Sequence, residues 1–336
     1  MKSYVVAVVG ATGVVGREII QILQSRQFPI QQLIPLASAR SAGAIVSFAG
    51  EHVDVQALDE KSFEGVDIAL FSAGGNVSAQ FAPIAAKAGA IVIDNTSHFR
   101  LYPDVPLVVP EVNKEALKYH KGIIANPNCS TAQLVVALKP IHEAATILRV
   151  VVSTYQSVSG AGKEGMSELE AQSRLSLNGG DIVPKKFPHP IAFNLIPQIG
   201  GFCDNGYTEE EMKMIQETQK MLDPSIAVTA TTVRVPVFIG HSETVNIQTK
   251  DKLTASQVCS LLGASPGVVV MDDPAHLVYP TPRETAGQDP VFVGRIREDL
   301  SIRNGIELWC VADNLRKGAA LNAVQIAEAL IDLSLV

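Results

Sequence analysis

Cys129 stands in the run Asn126-Pro127-Asn128-Cys129-Ser130-Thr131, and the residues that follow, Ala132-Gln133-Leu134-Val135-Val136-Ala137-Leu138, read as a buried helix. A cysteine at the mouth of a helix lies against free backbone N–H groups and the positive end of the helix dipole. Both favour the thiolate, the form that attacks carbonyl carbons. The outline is that of an acyl-transfer site. Residue type alone leaves a second reading open, because free cysteine also serves as a small buried apolar residue. The other cysteines, at 203, 259 and 310, are scattered without the short paired spacings of zinc sites or disulfide frameworks, so reduced thiols and no metal site are expected.

A second cluster is the glycine run Gly10-Ala11-Thr12-Gly13-Val14-Val15-Gly16, which follows the first apolar stretch and precedes the first helical pattern. A glycine turn between a first strand and a first helix brings bare backbone and a helix N-terminus up to a pyrophosphate. Gly10, Thr12, Gly13, Val14 and Val15 are therefore the candidate cofactor contacts of this turn. The second strand discriminates between cofactors, since an NAD site usually ends it with an acid that hydrogen-bonds the ribose 2′-OH. Here it ends Ala37-Ser38-Ala39-Arg40-Ser41, with no carboxylate. Ser38, Arg40 and Ser41 suit a 2′-phosphate, which makes NADP(H) the expected cofactor.

The elements that must position these residues follow from hydrophobic periodicity. Tyr4 to Val9, Gln31 to Ala37, Val66 to Phe71, Ala90 to Ile93 and Gly122 to Ala125 read as buried strands, with helical stretches such as Val14 to Ser25 and Val77 to Lys87 between them. That alternation predicts α/β architecture with a doubly wound parallel sheet. After Cys129 the strands lengthen and alternate with period two: Arg149 to Val158, Ala227 to Val237, Glu243 to Lys250, Val291 to Ile296 and Ile306 to Ala312. They predict a second, antiparallel or mixed sheet with one covered face. Residues 178–206, rich in Gly and Pro, read as an extended and functional loop, Thr208 to Lys220 as a helix, and Gly318 to Leu335 as a closing helix.

The 336 residues suffice for about two domains. No stretch approaches the roughly 20 uninterrupted apolar residues of a membrane span, and Met1-Lys2-Ser3-Tyr4 runs into a strand without a signal-peptide layout, so a cytoplasmic protein without a membrane partner is expected. A net charge of −7 disfavours nucleic acid as a partner and leaves room for a local basic pocket that takes a small anion.

Across its whole length the chain resembles the aspartate-β-semialdehyde dehydrogenase family. The resemblance rests on the glycine turn and on Asp94-Asn95-Thr96-Ser97-His98-Phe99-Arg100, Asn126 to Thr131, Tyr155-Gln156-Ser157-Val158-Ser159-Gly160-Ala161-Gly162, His189-Pro190-Ile191-Ala192-Phe193-Asn194, Arg234-Val235-Pro236-Val237 and Gly240-His241-Ser242-Glu243. Thr96 stands where many relatives carry serine, which keeps the hydroxyl. The resemblance implies a Rossmann-type NADP-binding domain over residues 1–127, completed by a C-terminal helix over 315–336. A second, α+β catalytic and dimerisation domain with a mixed sheet would span 128–314, and the protein would be a homodimer. The implied activity is NADPH-dependent reductive dephosphorylation of L-aspartyl-4-phosphate to aspartate semialdehyde and inorganic phosphate, feeding lysine, diaminopimelate, threonine, methionine and isoleucine biosynthesis.

The resemblance also implies roles. Cys129 is the nucleophile that expels phosphate and forms a thioacyl enzyme, and His241 is the acid/base. Gln156 orients the acyl group. Arg234 anchors the substrate carboxylate through its guanidinium fork, and Glu210 meets the α-amino group. The phosphate seat would combine Arg100, Lys213 and Asn128. Ser159 and Gly160 approach the nicotinamide end of the cofactor, and Asn314 contacts its carboxamide. Glu209 and Glu211 flank Glu210 and leave the register of that motif open. Two other readings stand beside this one: an N-acetyl-γ-glutamyl-phosphate reductase, whose acetylated substrate has no use for a carboxylate such as Glu210, and a non-catalytic NADP-binding paralogue, which should have lost Cys129 or His241.

Overall fold

In the computed structural model, residues 2–336 are described; Met1, with which the expected first domain opens, lies outside the described residues. The chain divides into two compact units, Met1–Asn128 with Ala319–Val336, and Cys129–Gly318.

The first unit is built on a six-stranded sheet in the order β5-β2-β1-β6-β7-β8. Its strands are β1 (Tyr4–Val9), β2 (Ile30–Ala37), β5 (Gln56–Ala57), β6 (Ile68–Phe71), β7 (Ile91–Asp94) and β8 (Ile123–Ala125). Every neighbouring pair is parallel. Val6, Ala7, Val8 and Val9 are fully buried, as expected of a central parallel strand covered on both faces. Because β2 lies on one side of β1 and β6 on the other, the winding reverses at β1. Ligands of open α/β sheets gather beyond the strand ends at such a switch point.

Helix α1 (Val14–Ser25) presents Ile19, Ile20, Ile22 and Leu23 to the core, α2 (Gly75–Lys87) leads into β7, and the short α3 (Pro110–Asn113) precedes β8. The last helix, α9 (Leu321–Asp332), belongs to this unit and packs against α1, burying Val324, Ile326, Ala327 and Leu330 in the same core as Val6, Val8 and Ile19. Arg26 and Glu328 pair across these two helices at 2.7 Å. The expected closing helix, Gly318 to Leu335, is present: a π-helical turn over Arg316–Ala320 runs directly into α9, which ends at Asp332. A hairpin of β3 (Ile45–Phe48) and β4 (Glu51–Asp54) was not expected; it turns on Ala49 and Gly50, both at positive φ.

The second unit holds a mixed six-stranded sheet, order β10-β9-β11-β14-β13-β12. Its strands are β9 (Ile147–Gln156), β10 (Ala227–Arg234), β11 (His241–Thr249), β12 (Val268–Val270), β13 (Val291–Asp299) and β14 (Gly305–Ala312). The outer pairs β10–β9 and β12–β13 are parallel, and the central pairs are antiparallel. Helix α4 (Cys129–Ala145) is buried continuously from Ser130 to Leu138, so it is sunk among β9, β11, β13, β14 and the helices α6 (Glu209–Met221) and α7 (Ala255–Gly263). Two more helices, α5 (Gly162–Leu177) and α8 (Pro282–Thr285), complete the unit. Along β11, Glu243, Val245 and Ile247 are buried while Thr244 is exposed, the alternation of a sheet with one covered face.

Residues 178–206 form the expected excursion, without helix or regular strand. Among its ties, Gln172 Oε1 accepts the N–H groups of Ile191 and Ala192, and Ile196 exchanges two backbone hydrogen bonds with Arg234, at 2.8 and 3.0 Å. The loop thus grips the last residue of β10.

Candidate active site

In the first unit the glycine turn connects the C-terminal end of β1 to α1. The N–H groups of Gly10 and Ala11 donate to Leu36 O at 2.8 and 3.1 Å, and Gly13 N–H donates to Gly10 O at 2.9 Å. Gly10 has φ +88°, and a Cβ there would come within 2.9 Å of the Ser72 carbonyl group; one at Gly16 would come within 2.1 Å of Gly10 O. Glycine is therefore required by both backbone sign and close approach. Helix α1 carries no side-chain cap at Gly13, which leaves its N-terminal N–H groups for an external acceptor. Thr12, Val14 and Val15 are partly buried around this turn. Ser38, Arg40 and Ser41 lie in the turn that follows β2, with Ser38 and Arg40 exposed, and no carboxylate occurs between Ile30 and Gly50.

Arg100 is buried in this unit, its Nε donating to Asn126 O at 2.9 Å and its Nη2 to Asn95 O at 2.8 Å. Asn128, also buried, is the residue before the helix-mouth cysteine. Asn322 of α9 donates to Asn126 Oδ1 at 2.6 Å and to Val108 O at 2.9 Å, so the C-terminal helix braces the Asn126 turn.

The second unit brings Cys129, Gln156, Glu210, Lys213, Arg234 and His241 together from five elements. Cys129 opens α4 and is only partly buried. Gly318 lies against it, since a Cβ on Gly318 would be 2.7 Å from Cys129 Cβ. Arg234, at the end of β10, is 6% exposed and donates Nη1–H to Ser157 O at 2.7 Å. Burial lowers the Arg234 pKa, and the charges of Glu210 and Cys129 oppose that shift. Arg234 therefore interacts electrostatically with both the thiol and the carboxylate. His241, at the start of β11, is fully buried. Its Nδ1 accepts the Ser157 N–H at 3.1 Å and lies 3.0 Å from Ser157 Oγ, while Nε2 has no partner. Burial, with the Arg234 charge second, holds its pKa well below the ordinary histidine value, so the ring is neutral near neutral pH.

Gly160 passes over this pair: a Cβ there would stand 2.9 Å from Arg234 Nη1 and 3.3 Å from His241 Nε2. Only a glycine lets both side-chain tips face the space beyond it.

The three consecutive glutamates take three directions. Glu209 reaches Gly201 N–H at 3.3 Å. Glu211 completes a capping box with Thr208 and accepts Thr232 N–H at 2.9 Å, which fixes the start of α6 against β10. Glu210, 7% exposed, faces Gln156 Nε2 at 3.4 Å and Lys213 Nζ at 3.4 Å. Of the three, Glu210 is the one that faces Gln156 and Lys213.

Ser159 and Asn314 form a buried cluster with Ser157. Asn314 Oδ1 accepts from Ser157 Oγ at 3.0 Å, from Ser159 Oγ at 3.1 Å and from Gly240 N–H at 3.0 Å. The Asn314 side chain therefore ties the segment before α5 to the residue preceding His241. Ser157 and Gly318 are the site residues that sequence reasoning passed over. Ser157 sat inside a quoted motif, but nothing local marks it as the partner of a histidine 84 positions away.

A Rossmann-type parallel sheet with a bare glycine turn in one unit, and a helix-mouth cysteine with a buried arginine and a neutral histidine in the other, define a two-domain α/β dehydrogenase. Residues 5–120 match the profile of the semialdehyde dehydrogenase NAD binding domain, and residues 138–317 that of the semialdehyde dehydrogenase dimerisation domain. The chain is 53% identical to aspartate-semialdehyde dehydrogenase of Aquifex aeolicus, over 99% of this chain and 100% of that protein. It is 54% identical to the Bacillus subtilis enzyme of that name, over 98% of each. A crystal structure of aspartate semialdehyde dehydrogenase II from Vibrio cholerae, complexed with ASA, superposes with a TM-score of 0.97 at 53% identity and 99% coverage of both chains. The aspartate semialdehyde dehydrogenase of Candida albicans with NADP gives 0.79 at 26% identity, covering all of both chains. The chain belongs to the aspartate-semialdehyde dehydrogenase family.

Proposed function

We propose that this protein is an NADP-dependent aspartate-semialdehyde dehydrogenase, an oxidoreductase of amino-acid biosynthesis that converts L-aspartyl-4-phosphate to L-aspartate-4-semialdehyde and inorganic phosphate. The observation that carries the reading is the buried Arg234, which interacts with Glu210, with His241 and with Cys129 and so offers a cation and an anion for an amino acid together with a nucleophile. An acetylated amine offers Glu210 no ammonium group to accept from, which disfavours the glutamyl-phosphate reductase reading. Retention of Cys129 and His241 disfavours a non-catalytic paralogue.

The first unit is read as the NADP-binding domain, completed by its C-terminal helix, and the second as the catalytic and dimerisation domain. The glycine turn fits a dinucleotide, because Gly10 and Gly16 leave no room for side chains and the α1 N-terminus is uncapped. Gly10, Thr12, Gly13, Val14 and Val15 would meet its pyrophosphate, and Ser38, Arg40 and Ser41 its 2′-phosphate. In the second unit Ser159 and Gly160 would serve the nicotinamide end, and Asn314 its carboxamide. Bound NADPH supplies the hydride that reduces the thioester.

In the chain itself, the positive end of α4 and the Arg234 guanidinium stabilise negative charge on Cys129 Sγ, which attacks the acyl phosphate carbon and expels phosphate. Gln156, held by Glu210, orients the acyl group. Arg234 forks onto the α-carboxylate while Glu210 accepts from the α-ammonium. His241, with Nδ1 accepting the Ser157 N–H, presents Nε2–H in its neutral form and would donate it to the oxygen of the thiohemiacetal as that intermediate forms and collapses. Lys213 in the second unit, and Arg100 and Asn128 in the first, are each assigned to phosphate.

Large apolar side chains stand exposed on the second unit, among them Leu177, Phe193, Leu195 and Phe202, which supports a homodimer. No described helix is long and apolar enough to cross a membrane, in keeping with a cytoplasmic enzyme. Its product would feed lysine, diaminopimelate, threonine, methionine and isoleucine. The test is a panel of acyl phosphates with NADPH absorbance followed. Turnover of aspartyl phosphate is expected; turnover of N-acetyl-γ-glutamyl phosphate alone would overturn the reading.

A further inference from the structure

Glu243 is a titratable group that the proposed chemistry does not use. It is fully buried on β11, and neither carboxyl oxygen meets a donor at ordinary hydrogen-bond geometry. An isolated carboxylate in such surroundings is strongly disfavoured, and burial raises its pKa well above the ordinary glutamate value. Its surroundings come from three elements besides its own strand. Across the sheet stand Thr154 of β9 and Cys310 of β14. From α4 comes Gln133, whose side-chain hydrogen bonding partly opposes that rise. The Cys310 thiol is itself pushed up by burial, with the Glu243 charge second, and so stays neutral.

Gln133 has the complementary defect. Its Nε2 donates to His241 O at 3.3 Å, while its Oε1 is buried without a donor. Cys129 and Gln133 are one helical turn apart, on one face of α4. His241 and Glu243 are two apart on β11, on one face of that strand. Each pair thus has one reacting member and one buried supporting member, and the supporting members face each other. A protonated carboxyl group has one O–H to donate, and the buried acceptor left without a donor on the neighbouring Gln133 is its Oε1.

We propose that Glu243 is a positioning residue that, as the neutral acid, donates its O–H to Gln133 Oε1, so that the Gln133 carboxamide is held at both ends and fixes the His241 main chain to the helix that carries Cys129. The effect on turnover rests on Cys129 and His241 being the reacting pair; the hydrogen bond itself does not.

Infrared spectroscopy reads the acid directly. A carboxylic acid C=O band is expected to persist at alkaline pH, to vanish in Glu243→Gln, and to shift in Gln133→Met as its acceptor is lost. Absence of the band, or its indifference to Gln133→Met, would overturn the hydrogen bond whatever the substrate proves to be. In kinetics, Glu243→Met is expected to lower kcat roughly tenfold with both KM values within about twofold, and Glu243→Gln, which keeps a donor without charge, to recover most of it. The pH profile of Glu243→Gln is expected to overlay that of wild type; a shifted profile would mean an ionised Glu243. Gln133→Met should cost as much as Glu243→Met, and the double variant little more, whereas additive losses would sever the link. Should Glu243→Met fail to fold, Gln133→Met beside Glu243→Gln carries the same test. In the native state Glu243 keeps a proton that the unfolded chain releases above the ordinary carboxylate range. Wild type is therefore expected to lose unfolding free energy relative to Glu243→Gln as pH rises through that window, and a pH-independent difference would contradict a neutral acid.

Discussion

The two units hold their candidate residues in opposite ways. In the first, the five proposed pyrophosphate contacts, Gly10, Thr12, Gly13, Val14 and Val15, lie within one short turn, and the residue proposed to read the 2′-phosphate, Arg40, stands exposed on the turn after β2. In the second, Cys129, Gln156, Glu210, Arg234 and His241 come from five elements, and apart from the cysteine all are at least nine-tenths buried. Backbone N–H groups are present in any turn, so an anion seat made from them asks only for glycines at the right places. Side-chain chemistry in a dry site asks for charges that compensate one another, because each costs several kcal/mol if left alone. Arg234 illustrates the difference: it is tolerable in the interior because Glu210, Cys129 and Ser157 O surround it.

If the two regions are as separable as this comparison makes them, Cys129→Ser should remove turnover by about a thousandfold or more while leaving NADP binding intact, because an alcohol lacks the nucleophilicity of a thiolate at neutral pH. Calorimetry with NADP beside steady-state assays checks this. Simultaneous loss of cofactor binding would break the comparison, and substantial residual turnover would remove Cys129 from its role.

Arg234→Lys keeps the charge and loses the fork, so kcat/KM is expected to fall about a hundredfold in both reaction directions. The same residue links the site to pH. Since the Arg234 charge disfavours the His241 imidazolium, Arg234→Met should raise the His241 pKa and Arg234→Lys should leave it nearly in place. An NMR titration of the His241 ring distinguishes these outcomes; no difference between the variants would mean that burial alone sets the histidine.

On the exposed side of the comparison, Arg40→Ala should weaken NADPH by about 1 to 3 kcal/mol, roughly five- to 150-fold in Kd, and leave NADH nearly untouched. Equal weakening of both would make Arg40 a support of its loop. The smallest effect is expected at Lys213, whose replacement by alanine should raise the KM for inorganic phosphate several-fold in the oxidative direction and change the semialdehyde KM much less. If only the semialdehyde KM moved, Lys213 would belong to the amino-acid seat beside Glu210.

The chain's local patterns determined much of this. Apolar runs of strand length, separated by amphipathic stretches, specified the parallel sheet of the first unit, and α1 occupies Val14–Ser25 as read. The glycine turn was legible because a strand, a turn and a helix are contiguous, and so was Cys129 as the first residue of a helix. The resemblance supplied the order of the motifs and through them Gln156, Arg234 and His241. The hairpin of β3 and β4 escaped because Ala49-Gly50 lacks the usual Asn-Gly or Asp-Gly signal, and β12 because three residues are too few to show a period.

Tertiary structure alone decided which neighbours those residues have. Successive positions on a helix point roughly 100° apart, so Glu209, Glu210 and Glu211 cannot share a role, but only the packing of α6 on β10 selects which of them faces Gln156. Pairings such as Ser157 with His241, Ile196 with Arg234, Gly318 with Cys129 and Gln133 with Glu243 join residues from 38 to 189 positions apart. A sequence fixes the face on which a side chain lies through short-range sterics and periodicity. The partner on the opposing face is set by how whole layers of the fold come to rest on one another, and that is where the electrostatics of this site are made.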